Sequence, residues 1–188
     1  MPKIGAEPIR KAALINATIF EVGRTGSLDV TVAQIARRAG MSPALAHHYF
    51  GSKDQIFLAA MRYILRVYGR SVAERLPGRG PRGRLNAIVQ ASFAPQNFQR
   101  ETVSAWVNFY ALALINPEAA RLLRVYHRRL RSNLILALRP LTDDPARVAE
   151  TLGALIDGVY LRAVLTRSDV DAAAAEKLIF DYLDEVLS

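Results

Sequence analysis

The amino-acid sequence predicts an all-α protein of about nine helices, with a three-helix head at the N-terminus and a larger helical body after it. Apolar residues recur at spacings of three and four along nearly the whole chain, as in amphipathic helices, and no convincing stretch alternates with the period of a strand. Proline and glycine fall where such helices would begin and end. Hydrophobic residues make up 51% of the chain, which is enough for a substantial buried core.

The predicted helices follow one another with short connections. The first begins near Pro8, which suits a first helical turn, and ends at Val22 before the glycines at 23 and 26. The segment 76–84, LPGRGPRGR, is rich in glycine and proline and predicts a hinge within one helical body. The other predicted helices span approximately 32–39, 43–50, 53–75, 82–94, 99–115, 117–138, 145–166 and 171–187.

The amino-acid composition indicates where the protein is located and which kind of molecule it binds. There is no cysteine, no long apolar run at the start and no stretch of roughly 20 apolar residues, so we expect a soluble cytoplasmic protein without disulfides or a membrane span. The net charge of +8 indicates a polyanionic partner, with nucleic acid ahead of a membrane surface. Per residue, the excess of basic over acidic side chains is largest in residues 1–53, which carry seven Lys and Arg and three Asp and Glu. The other 135 residues carry 18 basic and 14 acidic residues.

Two short helices with a tight turn between them are predicted around residues 31–50. Thr31 and Gln34 have the spacing of a capping box, in which the hydroxyl accepts a backbone N–H and the amide reaches back. Gly40 suits the left-handed backbone that ends a helix, and Ser42-Pro43 supplies an N-cap and a first-turn proline for the next one. Such a pair forms a helix-turn-helix unit, whose second helix enters the major groove of DNA.

The second of these helices carries two adjacent histidines. His47 and His48 share a helical face with Ala44, so we expect both rings to point outwards, toward DNA or simply into solvent. A metal site is disfavoured because no Cys, Asp or Glu lies at helical spacing from both rings, and a catalytic site because no nucleophile with an orienting carboxylate is near. Lys53 opposes the dipole of the helix it begins, which favours a phosphate ligand there over a tolerated surface lysine.

The two histidines lie within a longer sequence pattern. It has the spacing T-x-x-x-I-A-x-x-A-G-x-S-x-x-x-x-x-x-Y-F-x-S-K and consists of Thr31, Ile35, Ala36, Ala39, Gly40, Ser42, Tyr49, Phe50, Ser52 and Lys53. The pattern resembles the DNA-binding domain of the TetR family. The resemblance implies a helix-turn-helix domain in residues 1–53 and a ligand-sensing and dimerisation domain in residues 54–188. It implies a transcriptional repressor without enzymatic activity or cofactor, whose partners are a palindromic double-stranded DNA operator, a small-molecule effector and a second copy of the chain.

The resemblance also implies roles for residues of the head. Thr31, Tyr49 and Lys53 would contact phosphates, and His48 would either contact a phosphate or pack. The other implied DNA contacts are Ser42, Pro43, Ala44, Leu45 and His47. Since proline and alanine side chains form no hydrogen bonds, sequence readout would depend on few side chains and on DNA shape.

Several stretches of the chain are similar to choline-responsive members of this family. They are MPKIG (1–5), IRKAALINAT (9–18), the segment from Phe93 to AWVNFYA (105–111), RRLRSNL (128–134) and LGALIDGVYLRAVL (152–165). The similarity implies a choline-like effector. Ala94 and Pro95 stand where those members have acidic residues, so the identity of the effector stays open.

An aromatic stripe and an acid in an apolar run are the candidate effector contacts. Trp106, Phe109 and Tyr110 share one helical face, which is typical either of plain core or of an aromatic pocket for a cation. Asp157 would either pair with an arginine across an interface or face a cationic ligand. The other rings of such a pocket would be Phe93, Phe98 and Tyr160.

The last two predicted helices carry apolar stripes suited to a four-helix dimer interface. Gly153 and Gly158 would permit close approach of a partner. The stripes consist of Val148, Leu152, Leu155, Val159 and Ala163 on the first helix, and of Leu178, Ile179, Tyr182, Leu183 and Val186 on the second.

Overall fold

A computed structural model describes residues 6–166 and 171–187, and the MPKIG stretch lies outside these residues. The described residues form nine α-helices without a strand, which confirms the predicted fold class. The helices are α1 (Ala6–Thr25), α2 (Val32–Arg38), α3 (Pro43–Phe50), α4 (Lys53–Arg75), α5 (Pro81–Ser92), α6 (Arg100–Ile115), α7 (Pro117–Leu138), α8 (Pro145–Leu165) and α9 (Ala172–Val186).

Side-chain caps fix where most of these helices begin. Each cap satisfies backbone N–H groups that have no partner within the helix, which stabilises a helix by about 1 kcal/mol. Proline is the first residue of α3, α5, α7 and α8, where its missing N–H is not needed. The residues whose side chains accept a first-turn N–H are Thr31, Ser42, Ser52, Asn116, Asp144 and Asp171.

The head consists of α1, α2 and α3 around a small apolar core. α1 packs on α2, and α3 packs on α2 and α4. Leu14, Val22, Ile35 and Ala46 are fully buried there. α4 continues from this core into the body, so the head is attached through a helix rather than a flexible linker.

The C-terminal end of α1 packs closely against the body. The predicted end at Val22 is wrong, because the helix continues through Gly23 and the chain turns at Gly26, whose φ is 65°. Gly23 lies against the backbone of Glu101 in the first turn of α6, and a Cβ on Gly23 would come within 2.6 Å of the Cα of Glu101. Only glycine lets the two helices approach this closely.

The body is a bundle in which α7 contacts α4, α5, α6 and α8, while α9 covers α5 and α8. The apolar stripes predicted for dimerisation lie partly in its core. Val148 and Leu152 of α8, and Ile179 and Leu183 of α9, are almost completely buried within one subunit, so their assignment to an interface is wrong. The exposed leucines of these two helices are Leu161, Leu165 and Leu178.

Candidate functional site

The turn between α2 and α3 has the local geometry that its sequence predicts. The backbone N–H of Thr31 donates to Oε1 of Gln34 at 2.7 Å, and the N–H of Gln34 donates to Oγ1 of Thr31 at 3.2 Å, which completes the capping box. Gly40 has a φ of 68°, and Oγ of Ser42 accepts the N–H of Leu45 at 3.2 Å. These bonds fix α3 as the second helix of a helix-turn-helix.

One face of α3 is open to solvent. Ala46 is fully buried and fixes the opposite face to the core of the head. Leu45 and Tyr49 are half-buried at the borders between the two faces. The exposed residues are Ser42, Pro43, Ala44, His47 and His48, which are five of the residues that the family pattern implies for DNA contact.

The ring of His47 is held in one orientation. Its Nδ1 lies 2.8 Å from the carbonyl oxygen of Gly51, the residue that ends α3. Because a carbonyl only accepts, Nδ1 carries the proton of this hydrogen bond, and in the neutral ring Nε2 is then an acceptor. Such a ring can accept a hydrogen bond from the exocyclic amino group of adenine or cytosine.

Tyr49 joins the end of α3 to the first half of α1. Its hydroxyl accepts a hydrogen bond from Nη1 of Arg10 at 3.5 Å, and Nζ of Lys11 lies 5.9 Å from its ring centre. The centre of the His48 ring lies 5.5 Å from the centre of the Tyr49 ring. Arg10 therefore adds positive charge beside the predicted phosphate contact, whereas the ammonium of Lys11 is paired with the carboxylate of Glu7 at 2.6 Å. The sequence indicated this charge only as an excess of basic residues in the head.

Lys53 and Ser52 together form the start of α4. Oγ of Ser52 accepts the N–H of Gln55 at 3.2 Å, and the ammonium of Lys53 lies 5.3 Å from the ring centre of Phe57. The first turn thus combines the Lys53 cation with the positive end of a helix, an arrangement that attracts phosphate, although the exposed Asp54 in the same turn offsets part of that charge.

A salt bridge inside the head positions α2 on α1. The Glu21 side chain is only 8% exposed and accepts hydrogen bonds from Nε of Arg38 and, at 2.9 Å, from Nη2 of Arg24. The guanidinium of Arg38 also lies over the ring of Phe20, 3.6 Å from its centre. The hydrogen bond from Arg38, helped by Arg24, holds the pKa of Glu21 below its ordinary value of 4.5 despite burial.

The body contains a small aromatic cavity at the junction of α4, α6, α7 and α8. Its volume is about 20 Å³, about the space of one water molecule. Trp106 and Tyr160, both predicted effector contacts, line it together with Tyr68 and Tyr126. The remaining lining residues are Ile64, Leu65, Asn97 and Thr102.

A chain of hydrogen bonds leads from this cavity to an acid. Nε1 of Trp106 donates to the hydroxyl of Tyr110 at 3.0 Å, and that hydroxyl donates to Oδ1 of Asp157 at 2.8 Å. Nε2 of His127 lies 3.4 Å from the other carboxylate oxygen. Within the subunit the partners of Asp157 are Tyr110 and His127, and its predicted contact with an arginine across an interface or with a cationic ligand stays a prediction.

The negative charge of Asp157 acts on the whole aromatic group. Burial, joined by repulsion from this carboxylate, raises the pKa of Tyr68 to about 12. Burial is also the largest cause of the raised pKa values of Tyr110, Tyr126 and Tyr160, and Asp157 adds to it, although for Tyr126 and Tyr160 the neighbouring Tyr68 contributes more than Asp157. The Asp157 charge favours a positive charge among these rings, whereas burial disfavours charge of either sign.

The other predicted aromatic contacts lie farther from the cavity. Phe93 and Phe98 pack edge-to-face with ring centres 5.0 Å apart. Both rings also contact the ring of Tyr160, with centre-to-centre distances of 6.0 and 5.1 Å. Phe109 is fully buried in the core and does not line the cavity. Sequence reasoning missed Tyr68 and Tyr126, because a tyrosine on the apolar face of a helix has the pattern of an ordinary core residue.

Residues 6–166 and 171–187 contain no group of three His, Cys, Asp or Glu that could hold a metal ion. No helix in these ranges is long and apolar enough to cross a membrane.

Both halves of the chain match described protein families. Residues 14–60 match "Bacterial regulatory proteins, tetR family", and residues 81–188 match "BetI-type transcriptional repressor, C-terminal". The chain belongs to the TetR family. It is therefore a DNA-binding transcriptional regulator with a BetI-type C-terminal domain, and not an enzyme.

Full-length relatives within the TetR family support the same assignment. The chain is 49% identical to the HTH-type transcriptional regulator BetI of Brucella suis biovar 1, over 100% of this chain and 96% of the relative. It is 50% identical to the BetI regulator of Agrobacterium fabrum strain C58, over 98% and 91% of the two chains.

Solved structures of transcriptional regulators share the fold. A TetR transcription regulator from Haloarcula marismortui superposes with a TM-score of 0.84 at 22% identity, covering 95% of this chain and 98% of that one. A putative transcriptional regulator from Saccharomonospora viridis, solved in complex with choline, superposes with a TM-score of 0.82 at 23% identity over 93% and 95% of the two chains.

Proposed function

We propose that this TetR-family regulator binds a palindromic operator as a homodimer and leaves it when a choline-like cation occupies the aromatic cavity of the body. The choice of effector depends on one observation, the hydrogen bonds that connect Trp106 through Tyr110 to Asp157. They hold a carboxylate close to the aromatic residues of the cavity. Aromatic faces with a nearby negative charge are the environment that binds quaternary ammonium ions.

In the proposed DNA complex, residues 1–53 form the binding head and residues 54–188 the sensing body. Thr31, Tyr49 and Lys53 contact phosphates, and His47 contacts a base through Nε2. His48 lies beside Tyr49 and supplements its phosphate contact. Ser42, Pro43, Ala44 and Leu45 form the part of α3 that approaches the floor of the major groove.

The proposed dimer is formed by α8 and α9. Leu161, Leu165 and Leu178 are large apolar residues that remain 46%, 72% and 49% exposed on these two helices. The Cβ positions of Gly153 and Gly158 face open space, so a second helix can approach α8 closely. Two heads would then enter successive major grooves roughly 34–36 Å apart.

The proposed link between effector and DNA is α6. This helix carries Trp106, which lines the cavity, and Tyr110, which joins Trp106 to Asp157, and its first turn lies against Gly23 of the head. The present cavity of about 20 Å³ is too small for a trimethylammonium group, so binding must displace its walls. A shift of α6 would reach α1 directly and change the spacing of the two heads.

The proposal is tested by measuring release from DNA. An operator is first selected from random duplexes with the purified protein, and its complex is then titrated with choline. We expect choline to dissociate the complex and its uncharged isostere 3,3-dimethylbutanol to leave it intact.

Release by neither compound would remove choline as the effector. The alternative function is a TetR-type regulator that senses an unrelated hydrophobic or cationic small molecule, and release by both compounds would favour a hydrophobic one. Operator complexes whose mass corresponds to a single subunit would contradict the dimer.

A further inference from the structure

A groove between α4 and α7 lies directly outside the aromatic cavity. Its volume is about 200 Å³, and Gly69 and Ala73 of α4 line it opposite Val125 of α7. Tyr68 and Tyr126 line both the groove and the cavity. The two spaces are thus separated by a wall that is one layer of side chains thick.

The wall consists mainly of the two tyrosine rings. Their centres lie 5.7 Å apart, and the ring planes meet at 72°, an edge-to-face contact across α4 and α7. Leu65 is the third residue shared by the two spaces. All three side chains are only half-buried, because their outer sides face the groove.

The other cavity walls are held more firmly. The hydroxyl of Tyr160 donates to the carbonyl of Ser92, and the side-chain amide of Asn97 donates to the carbonyl of Ala91 at 2.6 Å. The indole of Trp106 is tied to Tyr110. Displacing any of these groups breaks a hydrogen bond in a buried setting, and the same holds for Tyr68, whose hydroxyl is hydrogen-bonded to Ser92. The ring of Tyr126 can therefore rotate into the space of the groove more easily than the others.

We propose that Tyr68 and Tyr126 form a gate through which a cationic effector passes from the groove between α4 and α7 into the cavity. This inference rests on the proposed function for the site of binding and adds the route. Tyr126 is the moving ring and Tyr68 the fixed one, and both present aromatic faces that can stabilise the cation as it passes.

Gly69 offers a way to block this route without touching the cavity. It lies on the exposed side of α4 and lines the groove but not the cavity, and a Cβ built on it meets no atom within 4 Å. A Gly69→Phe variant therefore fills the groove, and phenylalanine is a better helix former than glycine, so α4 is retained. Gly69→Ala is the small control, and Arg70→Phe is a bulky control at a neighbouring residue that does not line the groove.

Trp106, the only tryptophan of the chain, lines the cavity and supplies the signal. Choline association and dissociation are followed by stopped-flow tryptophan fluorescence. We expect Gly69→Phe to lower both rate constants by about fivefold or more while the Kd stays within about twofold, the signature of an obstructed route rather than a damaged site. Gly69→Ala and Arg70→Phe should behave like the natural protein.

A second measurement does not depend on choline. Acrylamide quenches tryptophan by collision, so its quenching constant reports how readily a small neutral molecule reaches Trp106. We expect this constant to fall in Gly69→Phe and to rise in Tyr126→Ala.

Two results would overturn the gate. One is unchanged choline rates and unchanged quenching in Gly69→Phe, which would place the route elsewhere. The other is a weaker Kd with an unaltered association rate, which would make the groove itself the binding site. If choline gives no signal with the natural protein, the proposed effector fails, and the quenching constants still decide whether Tyr68 and Tyr126 control access.

Discussion

The hydroxyl of Tyr110 donates a hydrogen bond to Oδ1 of Asp157 at 2.8 Å, which joins the middle of α6 to the middle of α8. The Asp157 side chain is one-third exposed, so it is neither buried in the core nor fully solvated. It also has His127 within 3.4 Å. The carboxylate is thus oriented by two side chains and still exerts its charge on the aromatic cavity.

Removing that charge should weaken binding of a cation selectively. In Asp157→Asn the amide oxygen can still accept from Tyr110, so the packing of α6 on α8 is retained. We expect choline to lose about 2 kcal/mol of binding free energy, which is typical of charges several ångströms apart at an effective dielectric constant near 20. Calorimetry measures the loss, and Tyr110→Phe serves as a control that removes the hydrogen bond and keeps the carboxylate. Equal choline affinities for Asp157→Asn and the natural protein would contradict this role.

The Glu21 salt bridge predicts an acid-sensitive head. Its pKa in the folded protein is below 4.5, so the ion pair with Arg38 stabilises the fold above that pH, and this stability is lost as the pH falls below 4.5 toward the folded pKa. Thermal melts followed by circular dichroism from about pH 6 to pH 3 measure this loss. Glu21→Gln should have a lower melting temperature near pH 6 and a smaller drop on acidification. An identical drop in both proteins would assign the acid sensitivity to other carboxylates.

The order of the helices is predictable from the sequence because its signals are local. The caps at Thr31, Ser52 and Asn116 act on backbone groups within three residues. The end of α1 is different. Gly23 has the sequence signature of a helix stop, yet its role is to let the backbone of Glu101 approach, and that contact spans residues far apart in the chain.

The cavity is only half predictable for the same reason. Trp106 and Tyr160 stand out as aromatics in helical register, but Tyr68 and Tyr126 meet only because α4 packs along α7. The apolar stripe of α8 illustrates the limit. Leu152 is fully buried and Leu155 is only half-buried although both belong to this stripe, and only the packed bundle distinguishes a core position from one at its border.

His47 is expected to read sequence. Because Gly51 fixes its ring, loss of the side chain should remove one oriented acceptor from the major groove. His47→Ala should cost roughly 1–3 kcal/mol on the selected operator and little on a random duplex. Fluorescence anisotropy with both DNAs makes the comparison, with His48→Ala as the neighbouring control. Equal losses of His47→Ala on both DNAs would show that this residue contributes to general affinity and not to sequence recognition.

Lys53 is expected to act through a phosphate alone. In Lys53→Ala, binding should weaken by a similar factor on all DNA sequences, and the slope of log K against log salt should decrease in magnitude by about one unit for each half-site contact. The salt titration is run on the selected operator and on a random duplex. An unchanged slope would mean that the ammonium stays over the ring of Phe57 in the complex, as it does without DNA.

Gly23 is expected to couple the two halves of the chain. In Gly23→Ala the new Cβ would collide with backbone atoms of Glu101, which cannot rotate away, so α1 and α6 must separate by a small distance. Overpacking of this kind typically costs about 1–3 kcal/mol, and here the strain falls on the joint between head and body. We expect weaker operator binding, a smaller further loss on addition of choline, and a choline Kd close to that of the natural protein, because the cavity residues are untouched.

Gly69→Ala, a helical glycine whose Cβ position is open, is the matched control and should leave operator binding intact. Operator binding and choline response that both match the natural protein would exclude the contact between Gly23 and Glu101 as the path from cavity to DNA.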